Sequence, residues 1–367
     1  MSTTPPTGFT IILAANADVP DAEMPSLPQL QRLLAKEHLT PAEFRLLLSP
    51  AAAALLEPMA RRAQALTVRH FGRTIQLYTP LYLANHCVNG CTYCGYRADQ
   101  PVARAQLNHA QLRGEAAAIA ATGLRQVLVL TGESPRQTTV QYIGECVQIL
   151  RDYFSSIAIE VYPLTTTEYQ YLAAQGADSL TIYQETYDRA RYAELHPYGP
   201  KRDYAFRLGA PERGCQAGLR AVNIGTLLGL GDARQDFWHT GLHAHYLQTQ
   251  YPGCEIAVSL PRIRPVPGGF QPAVEVTDRM LAQFITALRL FMPRIGISLS
   301  TREQADIRDG LVRLGVTRLS AGSSTAVGGH TGHTTTGQFE IADTRSVADI
   351  SAMLYQTGLQ PVFQDWQ

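Results

Sequence analysis

Three cysteines lie close together in the sequence, at Cys87, Cys91 and Cys94, with the spacing Cys-x3-Cys-x2-Cys. They directly follow a short apolar run that has the composition of a β-strand, so one loop can direct three sulfurs towards a common centre. Structural zinc requires a fourth ligand, and His86 is too near Cys87 to complete a tetrahedron, which makes zinc the weaker alternative. Ordinary electron-transfer clusters use four cysteines at other spacings. Three thiolates without a fourth therefore predict an iron–sulfur cluster with one iron left open for another ligand.

The other three cysteines, Cys146, Cys215 and Cys254, are scattered, and we interpret them as small buried apolar residues. This cysteine usage does not resemble a secreted disulfide framework. It favours a metal or redox site in a reducing compartment, which predicts a cytoplasmic protein. The apolar stretch from Phe9 to Ala15 is too short for a signal peptide or a membrane span.

The charge balance also restricts the partners. Lysine plus arginine equal aspartate plus glutamate, at 31 each, which removes the electrostatic basis for binding nucleic acid or an anionic membrane. Hydrophobic residues make up 45% and charged residues 17% of the chain, a composition typical of a globular protein with a sizeable core. We therefore expect a small-molecule substrate.

The cysteine loop belongs to a series of short apolar runs that alternate with longer helical patterns from residue 74 onwards. The predicted strands are Thr74–Leu83, Gln126–Leu130, Ala158–Val161, Ser179–Tyr183, Ala221–Ile224, Ile256–Ser259, Ile295–Leu299 and Thr317–Ser320. The predicted helices between them include Ala105–Ala121, Val140–Tyr153, Glu168–Gln175, Asp236–Gln250, Asp278–Phe291 and Arg302–Leu314. This alternation indicates an α/β protein with a parallel (β/α) barrel of the TIM type, with a doubly wound open sheet as the alternative. In a barrel, the chemistry lies at the carboxyl ends of the strands.

A helical extension precedes the predicted barrel. Leucines recur at helical spacing from Leu27, and a second helix is predicted over Pro41–Leu56, where Thr40 is a suitable N-cap and Pro41 occupies the first helical position. We divide the chain into a leader with a helical cap at residues 1–70, the barrel at 71–325, and a closing segment packed on the barrel at 326–367.

The cysteine spacing, with the aromatic Tyr93 before the last cysteine, resembles the radical S-adenosylmethionine (SAM) superfamily. From Thr79 to Trp366 the chain further resembles the aromatic amino-acid lyases of that superfamily, and most closely the 2-iminoacetate synthase branch, the tyrosine lyases of thiamine biosynthesis. The matching segments are Thr79–Gly95, Leu130–Glu133, Glu160–Leu164, Tyr183–Tyr187, Pro261–Pro265, Ser300–Glu303 and Gln360–Trp366.

The resemblance implies a 4Fe-4S cluster and SAM as cofactors, and cleavage of the Cα–Cβ bond of L-tyrosine to p-cresol and 2-iminoacetate. It also implies a reducing partner such as flavodoxin or ferredoxin, and contact with thiazole synthase. Tryptophan or another aromatic amino acid is the alternative substrate, and a non-catalytic iron–sulfur scaffold is the alternative function. The related lyase of hydrogenase maturation is disfavoured, because its additional C-terminal domain carries further cysteines and this chain has none after Cys254.

The resemblance also assigns residues to SAM. Glu133, in a Thr-Gly-Glu motif where the family has a Gly-Gly-Glu type, is expected to accept hydrogen bonds from the SAM ammonium group. Glu160 is expected to face the ribose, and Arg207 to hold the SAM carboxylate. Glu185 is expected at the barrel mouth, touching SAM, substrate or Arg207. Tyr93 is expected beside the cofactor.

Further residues are assigned to the amino-acid substrate. Arg302 is expected to anchor its carboxylate, because a guanidinium matches that group in charge and fork geometry. Tyr82 and Ser320 are expected to hold the amino acid near the SAM 5′ carbon. Arg262 and Arg264 alternate in sequence, so both are predicted on one face, with one as a second anion contact.

One loop near the C-terminus completes the candidate set. It runs from Ser320 to Gly337, is rich in glycine and threonine, and is predicted to be a mobile lid. Its histidines, His330 and His333, have no carboxylate beside them in sequence. We therefore interpret both as solvent-exposed rather than as metal ligands.

Overall fold

The computed structural model describes residues 8–16, 24–266, 269–332 and 335–364. Eight parallel strands close into a barrel, because β1 pairs on one side with β8 and on the other with β2. The strands are β1 (Thr74–Ala84), β2 (Gln126–Thr131), β3 (Ser156–Glu160), β4 (Ser179–Glu185), β5 (Ala221–Thr226), β6 (Glu255–Ser259), β7 (Gly296–Leu299) and β8 (Arg318–Ser320). The predicted TIM-type barrel is thus confirmed, and the open-sheet alternative is wrong.

A short ninth strand, β9 (Gln360–Val362), was not predicted from the sequence. It pairs in parallel with the first three residues of β1, so the end of the described chain extends the sheet beside the barrel's amino-terminal rim. Three residues with a central proline give too weak a pattern to be read as a strand. Pairing with β1, which is eleven residues long, gives this segment its structure.

The helices that surround the barrel agree broadly with the sequence pattern. They are α1 (Gly8–Ala15), α2 (Leu27–Ala35), α3 (Pro41–Leu47), α4 (Leu56–Phe71), α5 (His109–Ala121), α6 (Val140–Leu150), α7 (Thr166–Gln175), α8 (Arg189–Leu195), α9 (Tyr204–Leu208), α10 (Ala210–Gln216), α11 (Ala233–Gln250), α12 (Asp278–Phe291), α13 (Ala305–Leu311) and α14 (Val347–Gln356). The last predicted helix, Arg302–Leu314, is wrong at its start, because residues 300–304 form a loop at the barrel mouth.

The N-terminal extension is helical, as predicted, and packs on the outside of the barrel. Thr40 and Glu43 form a complete capping box at the start of α3, which satisfies amide groups that have no partner within the helix. The Phe44 ring stacks on Phe291 of α12, with 4.7 Å between ring centroids. The predicted single helix over Pro41–Leu56 is interrupted by a 3-10 turn, and α4 was missed.

Two strand ends are irregular at the carboxyl face of the barrel. The register of β1 shifts between Tyr82 and Ala84, and that of β4 shifts between Tyr183 and Glu185. Glu185 has a φ of 72°, the only positive φ at a non-glycine residue in the described chain. Such a backbone is costly and is often found at functional sites. In the described part of the chain, no helix is both long and apolar enough to cross a membrane.

Candidate active site

The cysteine loop leaves β1 at the barrel mouth and is fastened on two sides. Asn85 at its start donates to the carbonyl of Ala103 at 2.9 Å and accepts from the amide of Ala105 at 2.7 Å. On the other side, the amide of Gly90 donates to the carbonyl of Tyr198 at 3.1 Å. These contacts fix the path of the loop, which lowers the entropy lost when it binds a ligand.

Asn89 links this loop to two charged segments of the site. Its Nδ2 donates to Glu133 Oε2 at 2.6 Å, and its Oδ1 accepts from the backbone amide of Lys201 at 2.9 Å. A side chain at Gly132 would collide with the carbonyl of His86, so only glycine allows the Glu133 loop to approach the cysteines this closely. Asn89 was not among the predicted site residues.

The environment of the three sulfurs suits a cluster better than a single metal ion. Cys91 is 4% exposed, and burial raises the pKa of its thiol to about 12. Cys94 Sγ accepts from the Tyr96 amide at 3.4 Å and from Gln338 Nε2 at 3.5 Å. The described residues contain no His, Cys, Asp and Glu group arranged around one ion. A 4Fe-4S cluster binds each thiolate to a different iron, and three cysteine sulfurs on one loop are a donor set that fits that group.

An open cavity lies at the barrel mouth and reaches the cysteine loop at Cys94. Besides Cys94, it is lined by six of the residues predicted to contact SAM or the amino acid: Tyr82, Tyr93, Glu160, Glu185, Arg302 and Ser320. These residues come from widely separated parts of the chain, and the barrel brings them to one face. Glu133 and Arg207 lie beside this cavity rather than in its wall.

Glu133 lines an adjoining cavity that contains Tyr162, Phe206 and Lys201. Lys201 lines the main cavity as well, so it stands where the two spaces meet. A ligand held by Glu133 can therefore extend past Lys201 towards the cysteines. This placement is compatible with the predicted contact to the SAM ammonium group.

The structure places Glu185, Lys201 and Arg207 in one buried ionic cluster. Lys201 Nζ lies 2.6 Å from Glu185 Oε1, and an Arg207 guanidinium nitrogen lies 3.2 Å from the same oxygen. Burial alone would disfavour the ionised carboxyl, but the two cations hold the pKa of Glu185 below its usual value. Of the contacts that the sequence left open for Glu185, the structure shows the one to Arg207.

The guanidinium of Arg207 is already bound by neighbouring groups of the protein. Its Nε donates to the carbonyl of Tyr183 at 2.6 Å, and only 8% of the residue is exposed. It holds the irregular end of β4 in place, which makes it less available to a SAM carboxylate than the sequence suggests. Lys201 was missed by the sequence analysis, since a lysine in a Gly-Pro-Lys-Arg loop has no distinguishing pattern.

The carboxyl group of Glu160 and the guanidinium of Arg302 both line the main cavity, and their charges interact. Burial raises the pKa of Glu160 to about 7, and the positive charge of Arg302 opposes that rise. The Arg302 guanidinium carbon lies 3.4 Å from the centroid of the Phe339 ring, which fixes its plane. No described residue forms a hydrogen bond with the Glu160 carboxylate or with the Arg302 guanidinium. Both groups are therefore available to a ligand.

The loop that carries Arg302 is held by its neighbours. Ser320 Oγ accepts from the Thr301 amide at 3.0 Å, and the amides of Ala342 and Asp343 both donate to the Thr301 carbonyl. Ser320 therefore supports the Arg302 loop as well as lining the cavity. Whether its hydroxyl also contacts the amino acid stays a prediction.

Arg262 and Arg264 both line a second cavity, but they differ in their partners. Arg262 binds the carboxylates of Glu303 and Asp278 and the carbonyl of Val276, so it has a structural role. Arg264 lines the main cavity, and its buried Nε has no hydrogen-bond partner in the described chain.

Two buried hydrogen bonds fix the predicted residue Tyr93 through His196. The Tyr93 hydroxyl lies 2.8 Å from Nε2 of His196, whose Nδ1 lies 2.7 Å from the carbonyl of Tyr192. Burial lowers the pKa of His196 to about 3, so the ring is neutral and Nε2 accepts from Tyr93. Tyr93 is thereby fixed against the cavity wall beside Cys94.

The prediction that His330 is a plain solvent-exposed histidine is wrong, whereas His333 lies outside the described residues. His330 Nε2 lies 2.9 Å from the carbonyl of Pro80 in β1. Glu115 of α5, which is 1% exposed, accepts hydrogen bonds from the backbone amides of His330 and Thr331. The described part of the predicted lid is therefore anchored to the barrel. Whether it moves stays a prediction.

The fold and the site can be compared with known proteins. The Radical SAM superfamily matches residues 81–243, and the Biotin and Thiamin Synthesis associated domain matches residues 259–360. A 2-iminoacetate synthase from Escherichia coli (strain K12) is 41% identical over 92% of this chain and 90% of its own length. The corresponding protein from Salmonella typhimurium is 39% identical over the same shares.

Among solved structures, the FeFe-hydrogenase maturase HydG from Carboxydothermus hydrogenoformans superposes with a TM-score of 0.86 and 31% identity, over 97% of this chain and 82% of that one. The cysteine loop, the barrel and the charged cavity therefore agree with sequence similarity along nearly the whole chain. The protein belongs to the 2-iminoacetate synthase family of radical SAM enzymes.

Proposed function

We propose that this protein is a carbon–carbon lyase that cleaves the Cα–Cβ bond of L-tyrosine to give 2-iminoacetate and p-cresol, and that the former is used for the thiazole of thiamine. The carrying observation is that Cys94 and Arg302 line one cavity, and that no described residue forms a hydrogen bond with the Arg302 guanidinium. Cys87, Cys91 and Cys94 would hold a 4Fe-4S cluster. When bound, the reduced cluster and SAM supply a 5′-deoxyadenosyl radical that can take a hydrogen atom from a substrate.

The residues of the chain bind and orient the two small molecules. Glu133 and Glu160 offer carboxylate oxygens to the ammonium and ribose groups of SAM, and Arg302 offers a two-pronged donor to the amino-acid carboxylate. The aromatic rings of Tyr82, Tyr93 and Phe339 form much of the remaining wall, which excludes water and accommodates an aromatic side chain.

The proposed reaction is tested by anaerobic incubation of reconstituted protein with SAM, dithionite and one amino acid at a time. We expect 5′-deoxyadenosine together with p-cresol when the amino acid is tyrosine. An indole product with tryptophan and none with tyrosine would move the protein to the tryptophan lyases. The absence of 5′-deoxyadenosine with every amino acid, from protein that holds its cluster, would support a scaffold function.

The contact between Glu133 and SAM gives a quantitative prediction. Glu133→Ala should weaken SAM binding by roughly ten- to a hundred-fold, as expected for the loss of a charge-assisted hydrogen bond, while iron content is unchanged. Equilibrium binding of SAM to the reconstituted protein measures this. Glu145→Ala is a matched control, because Glu145 is an exposed carboxylate on α6. Native affinity in Glu133→Ala would remove Glu133 from the SAM site.

The raised pKa of Glu160 gives a prediction about pH. The ionised carboxylate accepts hydrogen bonds from ribose hydroxyls better than the neutral acid does. Because burial raises the pKa of Glu160 to about 7, SAM affinity should fall as the pH is lowered from 8 to about 6. Glu160→Gln should bind weakly and with a flatter pH profile. A profile equally steep in Glu160→Gln would assign the titration to another group.

A reducing protein, such as flavodoxin or ferredoxin, would supply the electron, and thiazole synthase would take up the reactive imine. All six cysteines are free thiols in the structure, which is compatible with the proposed reducing, cytoplasmic environment.

A further inference from the structure

Gln338, in the loop that follows β8, connects the substrate side of the cavity to the cysteine loop. Its side-chain Nε2 lies 3.5 Å from Cys94 Sγ, and its Oε1 lies 2.7 Å from the hydroxyl of Tyr82. Both ends of one amide are therefore engaged. The reverse orientation would direct the carbonyl oxygen at a sulfur that becomes a thiolate on binding iron, and two electron-rich atoms repel each other.

The position of Gln338 is fixed by the surrounding loop. Its backbone amide donates to the carbonyl of Thr325 at 3.2 Å, and Thr325 Oγ1 donates to the carbonyl of Phe339 at 3.1 Å. The hydroxyl of Tyr96 donates to the carbonyl of Thr325 and lies 3.2 Å from the carbonyl of Thr336. The ring of Tyr96 also meets that of Tyr82 edge to face. The amide is therefore held towards Cys94 by the fold itself.

The three cysteine sulfurs do not have equal donors. Cys94 Sγ accepts from the side-chain amide of Gln338 and the backbone amide of Tyr96. Cys87 Sγ is instead approached by the side-chain amide of Asn89 at 3.9 Å and by the backbone amides of Asn89 and Glu133. No hydrogen bond to Cys91 Sγ is formed by the described residues. Hydrogen bonds to cluster sulfurs stabilise the reduced, more negative state and so raise the reduction potential.

We propose that Gln338 is a positioning residue that raises the reduction potential of the cluster by donating a hydrogen bond to Cys94 Sγ, and that Tyr82 keeps the amide in this orientation. The inference rests on the cluster site of the proposed function. It adds a link between the cluster and Tyr82, a cavity residue assigned to the substrate, so that a change at Tyr82 is transmitted to Cys94 through one side chain.

The test is an anaerobic redox titration of the reconstituted protein without SAM or tyrosine. The midpoint potential is measured from the electron paramagnetic resonance signal of the reduced cluster. Gln338→Leu should reduce the equilibrium constant for reduction by roughly tenfold, the effect of one hydrogen bond, which for one electron lowers the midpoint by about 59 mV. Tyr82→Phe should shift it in the same direction by less, because the amide remains but loses its orienting partner.

Thr335→Val is the matched control. It removes a hydrogen bond from the same loop, but that bond joins the Thr335 hydroxyl to the carbonyl of Val327 and involves no sulfur. We expect its midpoint to equal that of the native protein. A native midpoint in Gln338→Leu, or an equal shift in Thr335→Val, would overturn the inference. If the Gln338→Leu protein does not retain its iron, the Tyr82→Phe protein provides the test, and a native midpoint potential in that variant would overturn the inference. A native protein that forms no cluster would instead refute the proposed function.

Discussion

Cys91→Ala should abolish SAM cleavage. Each of the three cysteines has to bind a different iron of the cluster, and Cys91 is the most deeply buried of them, so water cannot readily replace its sulfur. The expected result is 5′-deoxyadenosine at background level, with loss of the iron–sulfur absorption and of bound iron. Cys87→Ala and Cys94→Ala should behave alike.

Cys146→Ala provides the matched control for this prediction. Cys146 is fully buried in α6, away from the cysteine loop, so its replacement removes a thiol and leaves a small core defect. Its cost in folding free energy should be about 1 kcal/mol, and its SAM cleavage should remain near the native rate. Full cleavage by Cys91→Ala protein would contradict the radical SAM assignment of the cysteine loop.

The second large effect is expected at Arg302. Arg302→Lys keeps the positive charge but loses the planar fork and the fixed stacking on Phe339. A substrate carboxylate held by a lysine would be less well aligned, and misplacement by about 1 Å can cost on the order of a hundred-fold in rate. We therefore expect p-cresol formation to fall by about that factor while SAM binding is retained.

The decisive measurement is the ratio of 5′-deoxyadenosine to p-cresol. In Arg302→Lys, 5′-deoxyadenosine should continue to form beside a misaligned substrate, so the ratio should rise well above the native value. Arg264→Lys is the matched control, because Arg264 also lines the main cavity and its Nε has no hydrogen-bond partner among the described residues. A native ratio in Arg302→Lys with a raised ratio in Arg264→Lys would transfer the carboxylate contact to Arg264.

The strand pattern of the sequence was sufficient to predict all eight barrel strands, because buried parallel strands are short apolar runs with few alternatives. Helix α12 was predicted with its observed bounds. The pattern failed for α4 and for β9. In α4, bulky apolar residues are interspersed with arginines and alanines, and β9 exists only through its pairing with β1.

The residues of the candidate site were also predicted in part from the sequence. Cys94, Glu160 and Arg302 follow strand ends, and strand ends of a closed barrel converge on one face, so topology alone brings them together. Lys201 and Gln338 could not be predicted, because Lys201 lies in a short 3-10 turn and Gln338 in a long loop, and the path of both segments depends on packing. The same reason explains the error at His330, since only the folded loop shows that Glu115 and Pro80 hold it.

The sequence by itself determined the cysteine motif, the barrel and the family to which the chain is similar, because these depend on local spacing and on residue types that repeat along the chain. Only the tertiary structure determined which charged side chains are paired with each other and which are available to a ligand. Arg207 and Arg262 are occupied by Glu185 and Glu303, whereas Arg302 has no such partner among the residues that the structure describes. Arginines look alike in sequence, and whether one is available to a ligand depends on which carboxylates the fold places within about 3 Å of it.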